Sequence, residues 1–206
     1  MLEHGRALRW RTTISNHRPE VLKKLARDPG IQMGFSDAGA HLRNMAFYNM
    51  GLRLLRHVRD AELAGTPFMT IERAVHRLTG ELGDWYRIDA GHLRLGDRAD
   101  VVVLDPRRLD ASLDHYAEEP VSQYGGLSRM VNRNDETMSA VLVGGRAVYL
   151  DGALTPAVGS ERTGRFLRAA HKAPAPPTRQ ETGKATTLTA GTGTATTGKE
   201  ALAHVN

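Results

Sequence analysis

The stretch ADVVVLDP, residues 99–106, marks the point where the hydrophobic pattern of the sequence changes. It is a short run of apolar, mostly β-branched residues closed by Asp-Pro, which is typical of a buried strand. Further along, AVLVGGRAVYLDG, residues 140–152, has two strand-like runs around a Gly-Gly pair, and this pattern predicts a hairpin. The second part of the chain is therefore predicted to be mainly β.

The sequence before this point has helical features. Residues 16–30, NHRPEVLKKLARDPG, predict a helix, because Pro19 suits a first turn and Pro-Gly ends the pattern. Apolar residues recur at helical spacing over 45–64, and Thr70 predicts the N-cap of a third helix.

Two strands are predicted beside these helices. Residues 11–15 include β-branched side chains, and the apolar run 31–35 within IQMGFSDAGAH, residues 31–41, predicts a buried strand that ends at Ser36-Asp37. The order is then β-α-β-α, followed by the third helix and the β-rich part, which makes the chain α/β.

The composition excludes several kinds of site. The chain has no cysteine, so disulfides and thiolate metal sites are excluded and any metal must be bound by His, Asp or Glu. Residues 1–13 carry charges where a signal peptide needs an apolar core. No run approaches the roughly 18 apolar residues of a membrane span. We therefore expect a cytoplasmic protein without a membrane partner.

The charge of the chain is basic, with a formal net charge of +5 and an isoelectric point of about 9.8. That balance alone would admit a nucleic-acid binder. The arginines, however, alternate with Asp and Glu, as in RHVRDAE and RIDAGHLRLGDRAD, without interleaved aromatic residues. We expect a solvated charged surface and no nucleic-acid partner.

The last segment of the chain has a different composition. Residues 172–206 are rich first in Pro and then in Thr, Gly and Ala, with almost no large apolar residues. Such a segment cannot bury enough apolar surface to offset the entropy lost on ordering. It is predicted to be a disordered tail.

Four segments in this order carry a family resemblance: GFSDAGAH at 34–41, TIERAVHRLTGELGDW at 70–85, GHLRLGDRADVVVLDP at 91–106 and the hairpin at 140–152. Together they resemble the last part of an amidohydrolase-superfamily enzyme, closest to the N-acyl-D-amino-acid deacylase (D-aminoacylase) group. The resemblance covers roughly residues 12–152.

The resemblance implies a fold with three parts. Residues 1–92 would be the last strands and helices of a metal-dependent (β/α)8 barrel, residues 93–171 would be C-terminal β-sandwich strands with their connecting segments, and residues 172–206 would be the tail. Active sites of such barrels lie at the C-terminal mouth of the strands.

The resemblance also implies a catalytic residue. In this family the last barrel strand ends in an aspartate at the metal, and Asp37 matches that position. It would be the general base and acid for a water activated by a divalent metal, zinc by resemblance, in hydrolysis of the C–N bond of an N-acyl-D-amino acid or similar small molecule. Ser-Asp-Ala-Gly is also an ordinary turn sequence, and this interpretation stays open.

Other polar residues would lie near the same mouth. His41 could orient substrate or water, or could cap the following helix. His17 could face the mouth from the end of the preceding strand. Arg43 and Asn44 could bind a substrate carboxylate, since arginine offers a two-pronged donor.

The resemblance covers only part of a barrel. A (β/α)8 barrel needs about 250 residues, and the family's His-x-His pair of metal ligands does not occur in this sequence. We therefore expect a C-terminal fragment, inactive alone, whose partner would be an N-terminal half of the enzyme. The alternatives are a gene remnant or a non-catalytic interaction module that pairs through exposed strand edges.

Overall fold

The α-helices that the structure describes precede its sheets, and two short 3-10 helices, Pro106–Arg108 and Ala111–Asp114, follow the first strand. The computed structural model describes residues 17–34, 49–115, 117–122, 125–131, 134–170 and 202–205. Within these ranges the α-helices are α1 (Pro19–Arg27), α2 (Met50–Leu63), α3 (Ile71–Leu78) and α4 (Gly80–Tyr86).

The helix starts follow the local sequence signals. α1 begins at Pro19, as predicted. An N–H group in the first turn of a helix has no intrahelical acceptor, so its absence in proline costs no hydrogen bond there. The Thr70 side chain accepts a hydrogen bond from the Arg73 N–H at 3.2 Å, which confirms the predicted N-cap. Thr79, with φ −129° and ψ −90°, separates α3 from α4.

The strands form two antiparallel sheets. Among the described residues, the larger sheet has the order β6-β5-β4-β1-β7 and the smaller pairs β2 with β3. The strands are β1 (Val101–Leu104), β2 (Ala117–Val121), β3 (Leu127–Val131), β4 (Met138–Val143), β5 (Arg146–Leu150), β6 (Ala153–Leu154) and β7 (Leu202–Val205).

The hairpin between β4 and β5 forms where the sequence predicted it. Gly144 and Gly145 have φ angles of 58° and 80°, the positive values that a two-residue hairpin turn of type I′ requires at both positions. The turn is also fixed from outside, because the Gly144 N–H donates to the Asp100 carboxylate at 2.7 Å.

One hydrophobic cluster joins the helices to the larger sheet. β1 alternates, with Val102 and Leu104 buried, so that one face of the strand points into the core. The remaining buried members are Ala26 of α1, Leu54, Leu55 and Val58 of α2, Ala74 of α3, and Leu109 and Leu113 of the connection after β1. The described residues therefore form a mixed α/β structure with antiparallel sheets, consistent with the predicted α/β class.

Residues 31–34 do not form the buried strand predicted for 31–35 in the part that is described. Ile31 is exposed, its N–H donates to the Asp28 carbonyl at 3.2 Å, and its own carbonyl accepts a hydrogen bond from Arg77. The backbone groups of Ile31 therefore form the hydrogen bonds of a turn, not those between paired strands. Among the described residues no strand pairs with this segment, and a strand forms only where a neighbour supplies its hydrogen bonds. The strand predicted at 11–15 lies outside the described residues.

β7 lies within the predicted disordered tail. Leu202–Val205 pair with all four residues of β1 in antiparallel register, from Val101 opposite Val205 to Leu104 opposite Leu202. The structure therefore has a strand at these four residues, and the predicted disorder of the rest of the tail stays a prediction. The physical reason is that β1 has an open edge of unpaired N–H and C=O groups, which a short extended segment can complete. Residues 171–201 lie outside the described residues.

Removal of residues 199–206 is expected to speed amide exchange at about half of the β1 residues. Backbone N–H groups in an antiparallel strand point alternately to its two neighbours, so only those that face β7 lose their acceptors. Hydrogen exchange followed by NMR measures this. The amides of β5, which lies two strands away from β1, are the control, and unchanged exchange throughout β1 would show that β7 does not protect it.

Candidate functional site

The predicted site residues fall mostly within one segment. Asp37, His41, Arg43 and Asn44 lie in 35–48, outside the described residues, so their predicted roles stay predictions. His17 is exposed at the beginning of the described chain. The structure does describe the residues on both sides of 35–48, and these two flanks are held to the rest of the described fold by buried polar contacts.

Arg77 holds the N-terminal flank. Its side chain is completely buried and donates hydrogen bonds to the carbonyl oxygens of Ala26, Asp28 (at 2.8 Å) and Ile31. Two of these carbonyls lie at the C-terminal end of α1, where unpaired C=O groups and the helix dipole favour a cation. One guanidinium of α3 thus fixes the turn that leads from α1 toward residue 35.

Glu81 neutralises this buried charge. Its carboxylate oxygen lies 3.1 Å from Arg77 Nε, an ion pair without hydrogen-bond geometry, while its other oxygen lies 2.8 Å from Arg73. The Arg73 side chain is 40% exposed. Glu81 therefore forms ion pairs with one buried and one surface arginine. Its negative charge offsets the free energy that it costs to remove the Arg77 guanidinium from water.

Asn49 holds the C-terminal flank. It is buried, and its side-chain amide donates to the Leu113 carbonyl at 2.7 Å and to Asn134 Oδ1 at 3.4 Å. Its own carbonyl accepts the Arg53 N–H and begins the hydrogen bonding of α2. Asn49 therefore fixes the chain that leaves 35–48 against the connection after β1.

Charges on α2 secure the same connection. Arg53 and Arg56 each lie 2.7 Å from an oxygen of Asp114. Burial by itself would raise the pKa of Asp114, but the hydrogen bond from Arg56 and the two positive charges outweigh it, so the pKa is lowered. Partial burial, together with Arg56 and Arg53, also lowers the pKa of His57. The connection that holds Asn49 is thus anchored by an ionised carboxylate.

The described residues contain no metal site of their own. Within the ranges given above, no group of three His, Asp or Glu side chains lies close enough together to hold a metal ion. The His92 ring lies 2.9 Å from the Asp84 carboxylate, but this pair only joins α4 to the linker. The predicted zinc is therefore not matched by a ligand set in this part of the chain.

Two open clefts lie on the part of the fold that the structure describes. One, of about 710 Å³, lies between α1 and residues 66–68 and is lined by Lys23, Lys24 and Arg27 among others. The second, of about 690 Å³, lies beside the turn after β1 and is lined largely by Asp, Glu and Arg side chains. Of the predicted site residues, His17 lies in the part that the structure describes, and it lines neither cleft.

The sequence analysis missed both residues that hold the flanks. Arg77 stands among other charged residues in ERAVHRL, which favours a surface arginine. Asn49 follows an apolar stretch and precedes a helix; its position at an N-cap could have been recognised, because asparagine is frequent there. Nothing in the neighbouring sequence predicts that the Asn49 side chain is buried and binds Leu113 and Asn134.

In the part of the chain that the structure describes, none of the helices combines the length and apolar character that crossing a bilayer requires.

The chain is similar to uncharacterized proteins of Mycobacterium bovis and Mycobacterium tuberculosis. Each is 57% identical to it over 175 residues, a match that covers 82% of this chain and 29% of the relative. The chain therefore spans less than a third of the length of these curated relatives. No protein-family model matches the chain, and no solved structure matches it.

Proposed function

We propose that the chain is the C-terminal part of a metal-dependent amidohydrolase that cleaves the C–N bond of an N-acyl-D-amino acid or a similar amide. The observation that carries the proposal is the ordered set of four segments that resemble this family, from GFSDAGAH to the hairpin at 140–152. The helices α3 and α4, β1 and the β4–β5 hairpin coincide with the last three of these segments. The length of the relatives is compatible with a larger enzyme.

The proposed chemistry assigns one proton-transfer residue to this chain. A divalent metal, when bound, supplies a water of lowered pKa and a polarised carbonyl. Asp37 accepts the proton of that water as oxygen adds to the carbonyl carbon, and then delivers it to the nitrogen as the C–N bond breaks. The products are a carboxylate and an amine, so a single carboxylate serves both steps.

The metal itself needs ligands from elsewhere. A catalytic zinc site has three protein ligands, whereas the resemblance assigns only Asp37 to the metal in this chain. The missing ligands would belong to the part equivalent to the N-terminal half of the enzyme. His41, Arg43, Asn44 and His17 stay candidates for contacts to substrate near the mouth.

Reconstitution tests the proposal. The chain alone is expected to hydrolyse no N-acetyl-D-amino acid and to lose zinc on dialysis. When it is co-expressed with the part of the M. tuberculosis relative that lies outside the match, we expect stoichiometric zinc and hydrolysis that a chelator abolishes. Turnover by the chain alone, or a zinc-loaded complex inactive on every N-acetyl-D-amino acid and L-enantiomer tested, would contradict it.

One observation favours the second candidate, a non-catalytic module that pairs through strand edges. The edge of β1 accepts β7 from about 100 positions further along the chain, which is β-strand addition within one molecule. A module of this kind would form a complex with its partner without zinc and without turnover. The reconstitution above therefore separates the two candidates.

A further inference from the structure

The outer edge of β1 is completed by residues from the far end of the chain. Among the described residues, β7 lies at the end of the larger sheet and pairs with no strand other than β1. This pairing is regular over all four residues, whereas on the other side of β1 the register with β4 shifts between Val103 and Leu104. The outer edge of β1 therefore presents four residues in regular register to an extended segment.

The position of β1 is fixed by contacts that do not involve β7. Before the strand, the Gly145 N–H donates to the Ala99 carbonyl at 2.8 Å, and after it the Asp105 N–H donates to the Thr137 carbonyl at 2.9 Å. Two residues of the strand are also buried in the hydrophobic cluster. The edge is therefore formed before any segment pairs with it, and a preformed site loses little entropy on binding.

The edge has none of the features that usually prevent strand addition. Residues 101–104 read VVVL, so β1 contains no proline and no charged side chain. Natural sheets use charged residues, prolines and bulges to keep their open edges from pairing with other chains. Without these features, the β1 edge is suited to pair with an extended segment that reaches it.

The pairing of β1 with β7 is short. Neighbouring N–H groups of an antiparallel strand point to opposite sides, so the four residues of β7 supply only a few hydrogen bonds to β1. Residues 171–201 separate β7 from the preceding described residues, and a tether of this length holds a strand at an effective concentration on the order of 1 mM. β7 is therefore a local contact that can open while the core stays folded.

The residues on the edge indicate the kind of segment that it takes. Residues 202–205 read LAHV, without Lys, Arg, Asp or Glu, and they lie opposite four apolar residues of β1. In β-strand addition the main-chain hydrogen bonds supply the affinity. A fitting partner is therefore a short, extended and mostly apolar peptide segment that has no proline at the positions that pair.

We propose that the outer edge of β1 is a docking site for such a peptide segment, and that β7 is a tethered competitor that occupies the site reversibly. The inference does not rest on amide hydrolysis and requires no metal. It goes beyond the strand-edge module considered above, because it names the edge, the chemistry of the segment and a competitor within the chain itself.

Peptide titration followed by NMR tests the proposal. The probe is the octapeptide KEALAHVN, which has the sequence of residues 199–206. Shifts of the β1 amides report binding, and the β5 amides are the internal control. In the double variant Ala203→Pro, His204→Pro the tail loses one N–H that faces β1. The edge is then open, and we expect a dissociation constant on the order of 0.1 mM.

The parent chain is expected to bind the same peptide about tenfold more weakly, because its own tail competes at an effective concentration of about 1 mM. The matched control, Ala195→Pro with Thr196→Pro, places two prolines in the tail outside β7 and is expected to bind like the parent. Circular dichroism checks that each variant is folded. Titration of the parent chain with several millimolar peptide is the second measurement, and it needs no variant.

Two methylated peptides test the geometry of the contact. Methylation of the backbone nitrogen that corresponds to Ala203, or of the one that corresponds to His204, removes one N–H group from each peptide. Because these two N–H groups point to opposite sides of a strand, we expect one methylated peptide to lose binding and the other to retain it.

Four results would overturn the proposal. They are the absence of peptide binding to the folded double proline variant, equal affinities of that variant and the matched control, equal affinities of the two methylated peptides, and a dimer of the double proline variant that leaves the peptide unbound. None of these measurements uses an amide substrate, so the failure of this proposal and the failure of the proposed hydrolysis are distinguishable.

Discussion

Replacement of Arg77 with methionine is expected to lower the free energy of unfolding by about 3–5 kcal/mol. The guanidinium is completely buried and donates to three backbone carbonyls at the end of α1 and in the turn after it. Methionine fills a similar volume but leaves these carbonyls and the Glu81 carboxylate without their cation, and buried polar groups that lose their partners are costly. Urea unfolding followed by circular dichroism measures the change.

Arg73→Met is the matched control for this prediction. Arg73 pairs with the same carboxylate of Glu81 at 2.8 Å, but its side chain is 40% exposed. Exposed ion pairs contribute roughly 0.2–1 kcal/mol, so the control is expected to lose less than about 1 kcal/mol. If both variants unfold at the same urea concentration, Arg77 does not hold the flank of 35–48 in the way that the structure indicates.

Replacement of Asp37 with asparagine is expected to lower kcat by about 10²–10⁴-fold, the usual contribution of a positioned proton-transfer group. The measurement needs the reconstituted enzyme, with hydrolysis followed at saturating substrate. Asparagine keeps the shape and can still accept a hydrogen bond, but it cannot take up the proton of water at neutral pH. Metal content is expected to be largely retained, since most ligands would lie on the other polypeptide.

Asp28→Asn is the control for the alternative that Asp37 is only a turn residue. Asp28 is a turn residue in the structure, where its carboxylate accepts the Gly30 N–H at 2.8 Å. Asparagine makes the same turn contact, so this variant is expected to keep its activity within a few-fold. An Asp37→Asn enzyme as active as Asp28→Asn would make the segment GFSDAGAH an ordinary turn.

The local features of the fold were predictable from the sequence. Pro19 at the first turn of α1, Thr70 as the N-cap of α3 and Gly144-Gly145 in the hairpin are all found where they were expected. Each of these signals acts through residues at most four positions away, either by capping an N–H group or by permitting a positive φ. Contacts between residues so close in the sequence can be predicted from the local sequence alone.

The candidate site was predictable only in part. Asp37 follows from the resemblance of GFSDAGAH and, because it lies outside the described residues, stays a prediction. The flanks that carry it were not predicted, since Arg77 reaches carbonyls 46 to 51 positions away and Asn49 reaches one 64 positions away. Helical periodicity and cap signals involve residues a few positions apart, so they cannot predict contacts between residues this far apart in the sequence.

The sequence by itself determined where most of the described helices and the β4–β5 hairpin form, because caps, turn glycines and apolar periods act locally. The tertiary structure alone decided that Ile31 serves a turn rather than a strand, that Arg77 is buried and that the end of the tail pairs with β1. In each case the outcome depends on which distant group satisfies a backbone N–H or C=O. That choice is made by packing, when the helices and the sheet meet in one core.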